Sequence, residues 1–191
     1  MEEEWVARLL QQDKEALALI VEQYGDDVLR TARWLTGDYH AAEDIVQEVF
    51  LKVYRSIGQL REPSKLRPWI MKITVHMCKA QMRKASWSQL LLNPKGWALL
   101  FVRSDHMVAI DEDISLRLTL EEILKELPYH YREVIVLHYY YDLSIDQMRE
   151  WTGVSAGTLK SRLSRARMRL SQLWKEEEDN ETAFESTKGM G

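Results

Sequence analysis

The sequence predicts an all-α protein that consists of two small helical domains joined by a linker. Apolar residues recur at spacings of three and four, which is typical of amphipathic helices. The 191 residues include only 8 Gly and 4 Pro, whereas Leu, Glu, Arg, Lys and Gln are common, which favours helix over sheet. Apolar residues make up 46% of the chain, enough for a packed core, and the length suits one medium domain or two small ones.

The first predicted domain, residues 1–86, is a helical bundle. Asp13 and Asp38 are suited to cap its first two helices, and Gly37 to end the first of them. Their apolar stripes are Leu17, Ile20, Val21, Tyr24, Val28, Ala32 and Leu35, then Ala42, Ile45, Val46, Val49, Phe50, Val53, Tyr54 and Ile57. After a Pro-containing loop from Gly58 to Pro68, a third helix is expected to direct four residues inward, namely Trp69, Ile70, Ile73 and Met77.

The second predicted domain, residues 114–175, contains four helices. Pro128 ends the first of them, and Ser144 with Gln147 forms a predicted capping box at the third. Between the two domains the helical period is lost, so residues 87–113 are predicted to be a linker that packs on another surface. The acidic and Ser/Thr/Gly-rich tail, 176–191, is predicted to be disordered.

Charge is segregated along the chain. The net charge of −4 argues against a general nucleic-acid binder. However, residues 55–84 contain eight Lys and Arg against one acid, and residues 156–175 contain six against none. These two basic blocks predict local nucleic-acid surfaces, although for either block alone a solvated helix face is an equally good explanation.

The sequence also excludes several classes of protein. Cys78 is the only cysteine, so an internal disulfide and a cysteine metal site are excluded, and a reducing cytosol is favoured. The acidic N-terminus does not resemble a signal peptide, and no apolar run is long enough to span a bilayer, so a cytoplasmic protein is expected. The motifs of phosphate loops, zinc proteases and nucleophile elbows are missing, so we expect no enzyme, catalytic residue, metal, cofactor or small-molecule substrate.

The most specific pattern lies in residues 143–163. A short helix, a turn at Gly153 and a second helix that carries only positive charge are typical of a helix-turn-helix. Apolar side chains hold the two helices at a fixed angle, and these are Ile145, Met148, Val154, Leu159 and Leu163. An ordinary hairpin of basic helices is the alternative, but it does not explain why the turn, the apolar pattern and the charge coincide.

Two sets of motifs resemble one family, the extracytoplasmic-function (ECF) sigma factors of the sigma-70 family. Residues 143–170, with GTLKSRLSRAR, and the segment LPYHYREVIVL at 127–137 are similar to the family's C-terminal domain. AEDIVQEVF at 42–50 and WIMKI at 69–73 are similar to motifs of its N-terminal domain. The resemblance implies a sigma factor that binds core RNA polymerase and directs promoter recognition, −10 melting and initiation for a stress or envelope regulon.

The resemblance also implies roles for individual residues. The residues implied to dock on the β′ clamp helices of the polymerase are Glu43, Asp44, Gln47 and Glu48. The residues implied to contact the −10 element are Arg61, Lys65, Arg67, Lys72, His76, Lys79 and Arg83. The residues implied to contact the −35 element are Thr158, Lys160, Ser161, Arg162, Ser164, Arg165 and Arg167. Within that last set, Ser161, Ser164 and Arg165 face bases, whereas Lys160 and Arg162 hold phosphates. Trp69 is expected in the core rather than as a stacking platform.

The implied partners are core RNA polymerase (its β′ clamp helices and β flap), promoter DNA and an anti-sigma factor that can hold the protein at the membrane. Four residues depart from the family pattern. His76 and Ala80 stand where Asn and Asp are usual in the −10 helix, Arg149 replaces a small residue, and Thr152 replaces a leucine. The −10 sequence preference therefore does not follow from the resemblance.

Two alternative functions are open. A conventional helix-turn-helix regulator would bind duplex DNA without acting as a polymerase subunit, but it leaves unexplained the acidic helix of residues 43–50 beside the basic block of residues 61–84. A purely protein-binding helical module leaves the acid-free recognition helix unexplained.

Overall fold

The computed structural model describes residues 1–92 and 120–188, with side chains to residue 84 in the first segment and to residue 175 in the second. The helices are α1 (Glu2–Leu10), α2 (Lys14–Thr36), α3 (Tyr39–Ser56), α4 (Leu66–Leu92), α5 (120–126), α6 (Tyr129–Ile135), α7 (Ile145–Thr152) and α8 (Ala156–Lys188). Two 3-10 turns, Ile57–Gln59 and Pro63–Lys65, connect α3 to α4, and a π-helical turn, Val136–Tyr140, continues α6. The described segments contain no strand, and the predicted all-α fold with two helical domains is confirmed.

The helix boundaries of the first domain follow from local polar contacts. The Asp13 carboxylate accepts a hydrogen bond from the backbone N–H of Glu15 (2.9 Å) at the start of α2, and Asp38 accepts one from Ala41 (2.8 Å) at the start of α3. Gly37 ends α2 at a φ of +71°, a left-handed conformation that glycine adopts without steric cost. These three predicted boundaries are confirmed.

Helices α2, α3 and α4 pack into the core of the first domain. The stripes of α2 and α3 are buried largely as predicted, except that Val21 is exposed. The inward face of α4 differs from the prediction: Ile70 is buried, whereas Trp69, Ile73 and Met77 are only half-buried. The residues of α4 that are buried are Leu66, Ile70, Met71, Thr74, Val75 and Cys78. The difference arises because α4 also packs against the second domain, as its contacts below show.

Helix α1 was not predicted. It is amphipathic, with Trp5, Val6 and Leu9 buried against the bundle. The Tyr24 hydroxyl donates a hydrogen bond to the Glu2 carboxylate, and Arg8 donates one to Asp13 (2.8 Å), so both ends of α1 are attached to α2. The spacing of the three apolar residues is a helical signal that the predominance of acidic residues in this short segment obscured.

The second domain contains the predicted capping box. The Ser144 hydroxyl accepts from the Gln147 N–H (3.3 Å), and the Gln147 side chain accepts from the Ser144 N–H (2.8 Å). The last helix, α8, continues to Lys188, so residues 176–188 are helical rather than disordered as predicted. The physical reason is that no Gly or Pro interrupts residues 158–188. Helix α4 runs to Leu92, beyond the predicted linker start, and the rest of the predicted linker lies outside the described residues.

Candidate nucleic-acid interface

The helix-turn-helix is formed by α7, the turn at 153–155 and the first turns of α8. Gly153, at a φ of +70°, ends α7, and the Ser155 hydroxyl accepts from the Thr158 N–H (3.3 Å) at the start of α8. Met148, Leu159 and Leu163 are buried between the helices. This local packing fixes the angle between α7 and α8 and leaves the opposite face of α8 in solvent.

The candidate −35 residues share that solvent face with one exception. Six of the seven are exposed, namely Thr158, Lys160, Ser161, Ser164, Arg165 and Arg167. Arg162 is the exception: its side chain is 29% exposed and lies 3.9 Å from the carboxylate of Glu133, which is 1% exposed. Burial raises the pKa of Glu133, and the hydroxyl of Tyr129 donates a hydrogen bond to it (3.2 Å). Arg162 therefore also connects the recognition helix to α6.

The candidate −10 residues lie on α4 and on the segment that precedes it. Five of them are exposed, namely Arg61, Lys65, Arg67, His76 and Arg83, and Lys72 and Lys79 are half-buried. Lys65 pairs with its neighbour Glu62 (2.9 Å). Arg67 donates two hydrogen bonds to one oxygen of Asp27 (2.6 and 3.0 Å). Burial opposes the charged form of Arg67, but the hydrogen bonds to Asp27 together with the attraction of its negative charge outweigh burial and raise the pKa of the guanidinium.

Two of these seven candidate −10 residues, Lys79 and His76, also contact the second domain. The Lys79 ammonium donates to the backbone carbonyl of Thr152 (3.0 Å), and the His76 ring contacts the carbonyl of Trp151 through Nε2. Both acceptors lie at the C-terminal end of α7. Trp69 is half-buried against the core and is not fully exposed as a platform for a base.

The acidic face of α3 forms one side of a shallow groove. Asp44, Gln47 and Glu48 are exposed, and Glu43 is partly exposed beside His40 (3.7 Å). Asp44, Gln47 and Glu48 line the groove, whereas Glu43 is not part of its lining. The lining also contains apolar and amide groups that the sequence prediction omitted, namely Ile45, Leu51 and Gln81. Leu51 is 50% exposed and is the one large apolar side chain in the lining of this groove that is exposed. Its position, four residues after Gln47 on the same helix face, is the signal that could have identified it.

Two general properties of the chain bear on the class of protein. Across 1–92 and 120–188, no helix combines the length and the apolar character needed to cross a bilayer. In those same segments, no three His, Cys, Asp or Glu side chains come together in a way that would hold a metal ion.

Comparison with known proteins identifies both domains. The model of sigma-70 region 2 matches residues 20–88, and that of sigma-70 region 4 matches residues 117–170. The ECF RNA polymerase sigma factor SigW of Bacillus subtilis is 30% identical over 162 residues, which cover 81% of this chain and 87% of that one. The ECF RNA polymerase sigma factor SigE of Mycolicibacterium smegmatis is also 30% identical, over 79% of this chain and 58% of its own length.

Solved structures agree with the sequence matches. The sigma factor RpoE of Bartonella quintana, solved in complex with the anti-sigma factor NepR, aligns with a TM-score of 0.61 at 25% identity, over 86% of this chain and 98% of that one. The two matched regions occur in the order of a sigma-70 factor and together cover more than half of the chain, which defines the class of protein. Within that class, the chain belongs to the ECF sigma factors.

Proposed function

We propose that this sigma factor binds core RNA polymerase through the groove on α3, recognises the −10 and −35 elements, opens the −10 region and initiates transcription of a stress or envelope regulon. The observation that carries the proposal is that three chemically different surfaces occur on the two matched domains: an acidic groove with an exposed leucine, a basic helix and an exposed acid-free recognition face. All of its activity is binding, and the reaction chemistry belongs to the polymerase.

The groove on α3 suits a basic, partly apolar partner such as the β′ clamp helices. Asp44 and Glu48 supply two exposed carboxylates about one helical turn apart, which steer a basic surface and fix its register. Leu51 of α3 lines the groove with half of its surface exposed and supplies an apolar contact there. Interfaces commonly have this composition, in which polar groups surround a small apolar centre.

The test of this surface is the double substitution Asp44→Arg with Glu48→Arg. Reversing both charges is expected to abolish binding to core polymerase, measured with purified components, without altering the helical circular dichroism. A matched control is Glu22→Arg with Asp26→Arg, which makes the same charge change at the same spacing on exposed positions of α2. Retained affinity in the first variant, or equal loss in both, would contradict the assigned surface.

DNA recognition is divided between the two domains. Ser161, Ser164 and Arg165 of α8 face bases of the −35 element, and Lys160 holds phosphate. Arg162 also holds phosphate, and its pairing with buried Glu133 orients the guanidinium. The β flap of the polymerase is the proposed partner of this domain.

The −10 element is contacted as a single strand by the basic side chains of α4 and the preceding segment, which neutralise its phosphates. The residues proposed for this role are Arg61, Lys65, Arg67, Lys72, His76, Lys79 and Arg83. A conventional regulator would instead bind duplex DNA tightly without polymerase, so the dependence of promoter binding on core polymerase distinguishes the two functions.

An anti-sigma factor is the proposed regulatory partner, and the cytoplasm the proposed location, with the protein held at the membrane where that partner is anchored there. The complex of RpoE with NepR supports a partner of this class. Fractionation of cells that express the tagged chain tests the location. Recovery in the soluble cytoplasmic fraction, or at the inner membrane only while an anti-sigma factor is present, is the expected result.

A further inference from the structure

Part of the −10 face of α4 is in contact with the chain's own second domain. The C-terminal end of α7 has backbone carbonyls without helical partners and carries the negative end of the helix dipole. Lys79 donates to one of these carbonyls, that of Thr152 (3.0 Å), and His76 contacts the next, that of Trp151. Two side chains proposed to bind DNA are therefore bound to protein in this arrangement.

The π-helical turn after α6 makes a second set of contacts with the first domain. The Tyr140 hydroxyl donates to one oxygen of Asp27 (2.6 Å), and the other oxygen of Asp27 accepts from Arg67. The Tyr141 hydroxyl is hydrogen-bonded with that of Thr31, and it also contacts the sulfur of Met71 (3.0 Å). Because a π turn adds one residue to the helical repeat, it brings two consecutive tyrosines onto α2 and α4.

A third set of contacts fixes the far end of α2. Arg33 donates to Glu121 of α5 (2.6 Å), and the Glu121 side chain is only 16% exposed. Arg132 of α6 is 5% exposed and lies against Gly37, where an added Cβ would be 2.6 Å from its Nη1 atom. The three sets combine hydrogen bonds and an ion pair with apolar packing, because buried residues of both domains share one hydrophobic cluster and Trp34 packs edge-on against the Tyr140 ring (4.7 Å between centroids). Domains of one chain commonly move relative to each other across contacts of this kind.

We propose that the second domain closes over α4 in the unbound protein and inhibits its binding to the −10 single strand, an inference that rests on the proposed function of α4. Asp27, Tyr140 and the Arg33–Glu121 pair hold the domains together. Closure leaves two other surfaces open, because Asp44, Glu48 and the base-facing side of α8 remain exposed. Polymerase and the −35 element can therefore bind the closed form, and contact with the −10 strand requires the domains to separate.

The test uses a pair of double variants of the full chain. Tyr140→Phe with Glu121→Gln removes the hydrogen bond to Asp27 and the negative charge that pairs with Arg33, and neither substituted residue is proposed to bind DNA or polymerase. Tyr139→Phe with Glu122→Gln makes the same chemical changes one residue away, where both side chains are exposed. Circular dichroism establishes that both variants retain the helical content of the wild type.

Cys78 provides a probe of closure. It is the only thiol, it is fully buried on α4, and Arg132 and Glu133 of α6 contribute to its electrostatic environment. Burial raises its pKa to about 12, so it reacts slowly with thiol reagents while the domains are closed. The interdomain variant is expected to react about tenfold faster than the control, because the lost hydrogen bond of Tyr140 to the charged Asp27 contributes a factor of about ten. Its radius of gyration from X-ray scattering is expected to increase.

The functional measurement is the affinity of the free chain for a fluorescent single strand, taken from the non-template −10 region of a promoter that it transcribes. The interdomain variant is expected to bind about tenfold more tightly than wild type and control, since the bonds that it lacks opposed binding. Equal thiol reactivity in both variants, or an extended wild type in scattering, would overturn closure. Faster thiol reaction with unchanged strand affinity would overturn inhibition. Failure of the wild type to transcribe with core polymerase would refute the proposed function and the inhibitory role, whereas closure would still be decided by thiol reactivity and scattering.

Discussion

Two glycines with the same backbone conformation provide an internal comparison of domain contact. Gly37 and Gly153 end α2 and α7 at φ values of +71° and +70°. Alanine in this left-handed region costs about 1 kcal/mol at either position. At Gly153 an added methyl group meets nothing within 4 Å, so the backbone cost is the whole effect. At Gly37 the methyl group would lie 2.6 Å from Nη1 of buried Arg132 and 3.2 Å from Cγ of Lys125.

Gly37→Ala should therefore lower the free energy of unfolding more than Gly153→Ala does. Because Arg132 is buried, relieving the overlap with Gly37→Ala displaces side chains of the second domain, at an additional cost of about 1 kcal/mol or more. Urea denaturation followed by circular dichroism measures both free energies of unfolding. Cys78 should react faster in Gly37→Ala and at the wild-type rate in Gly153→Ala. Equal destabilisation with equal thiol reactivity would refute the account of this contact.

Three further substitutions test separate parts of the structure. Ser144→Ala removes the capping box of α7 and should lower the free energy of unfolding by about 1 kcal/mol in urea; an unchanged midpoint would mean that the cap does not stabilise the fold. Because burial raises the pKa of Glu133 above 4.5, its contribution to stability falls as pH rises from 4.5 through the folded pKa. The Glu133→Gln variant should not show this part of the decrease in stability with rising pH. A stability profile identical to that of the wild type would contradict the raised pKa assigned to Glu133. Arg165→Ala should weaken binding at one −35 position by about 1–3 kcal/mol, measured on promoter variants; unchanged selectivity would argue against base contact.

Features set by local sequence could be predicted. The caps at Asp13 and Asp38, the capping box at Ser144 and the turn at Gly153 each depend on residues within one helical turn of each other. The helix-turn-helix could be found for the same reason, since its apolar spacing and its charge bias lie within about twenty residues.

Features set by contacts between the domains could not be predicted. The buried face of α4 was misassigned because Met71 contacts Tyr141, which is seventy residues away in the chain. Asp27 looks like an ordinary surface acid in the sequence, yet it accepts from both Arg67 and Tyr140. The π turn that presents Tyr140 has no pattern of its own in a run of three tyrosines.

In the candidate site as well, features set by local sequence could be predicted and contacts between separate helices could not. The exposed face of α8 follows from helical periodicity, so six of its seven predicted residues lie in solvent together. The pairing of Arg162 with Glu133 could not be predicted, because Glu133 lies on another helix and nothing in the sequence distinguishes it from the other acidic residues. Leu51 and Gln81 were omitted from the groove, since apolar and amide residues carry no charge signal.

In vitro transcription with purified core polymerase and a genomic promoter library, with and without this protein, tests the central claim most directly. We expect start sites that occur only when the protein is added and that share −10 and −35 elements. Specific binding to duplex DNA without core polymerase, together with no new start sites, would contradict it.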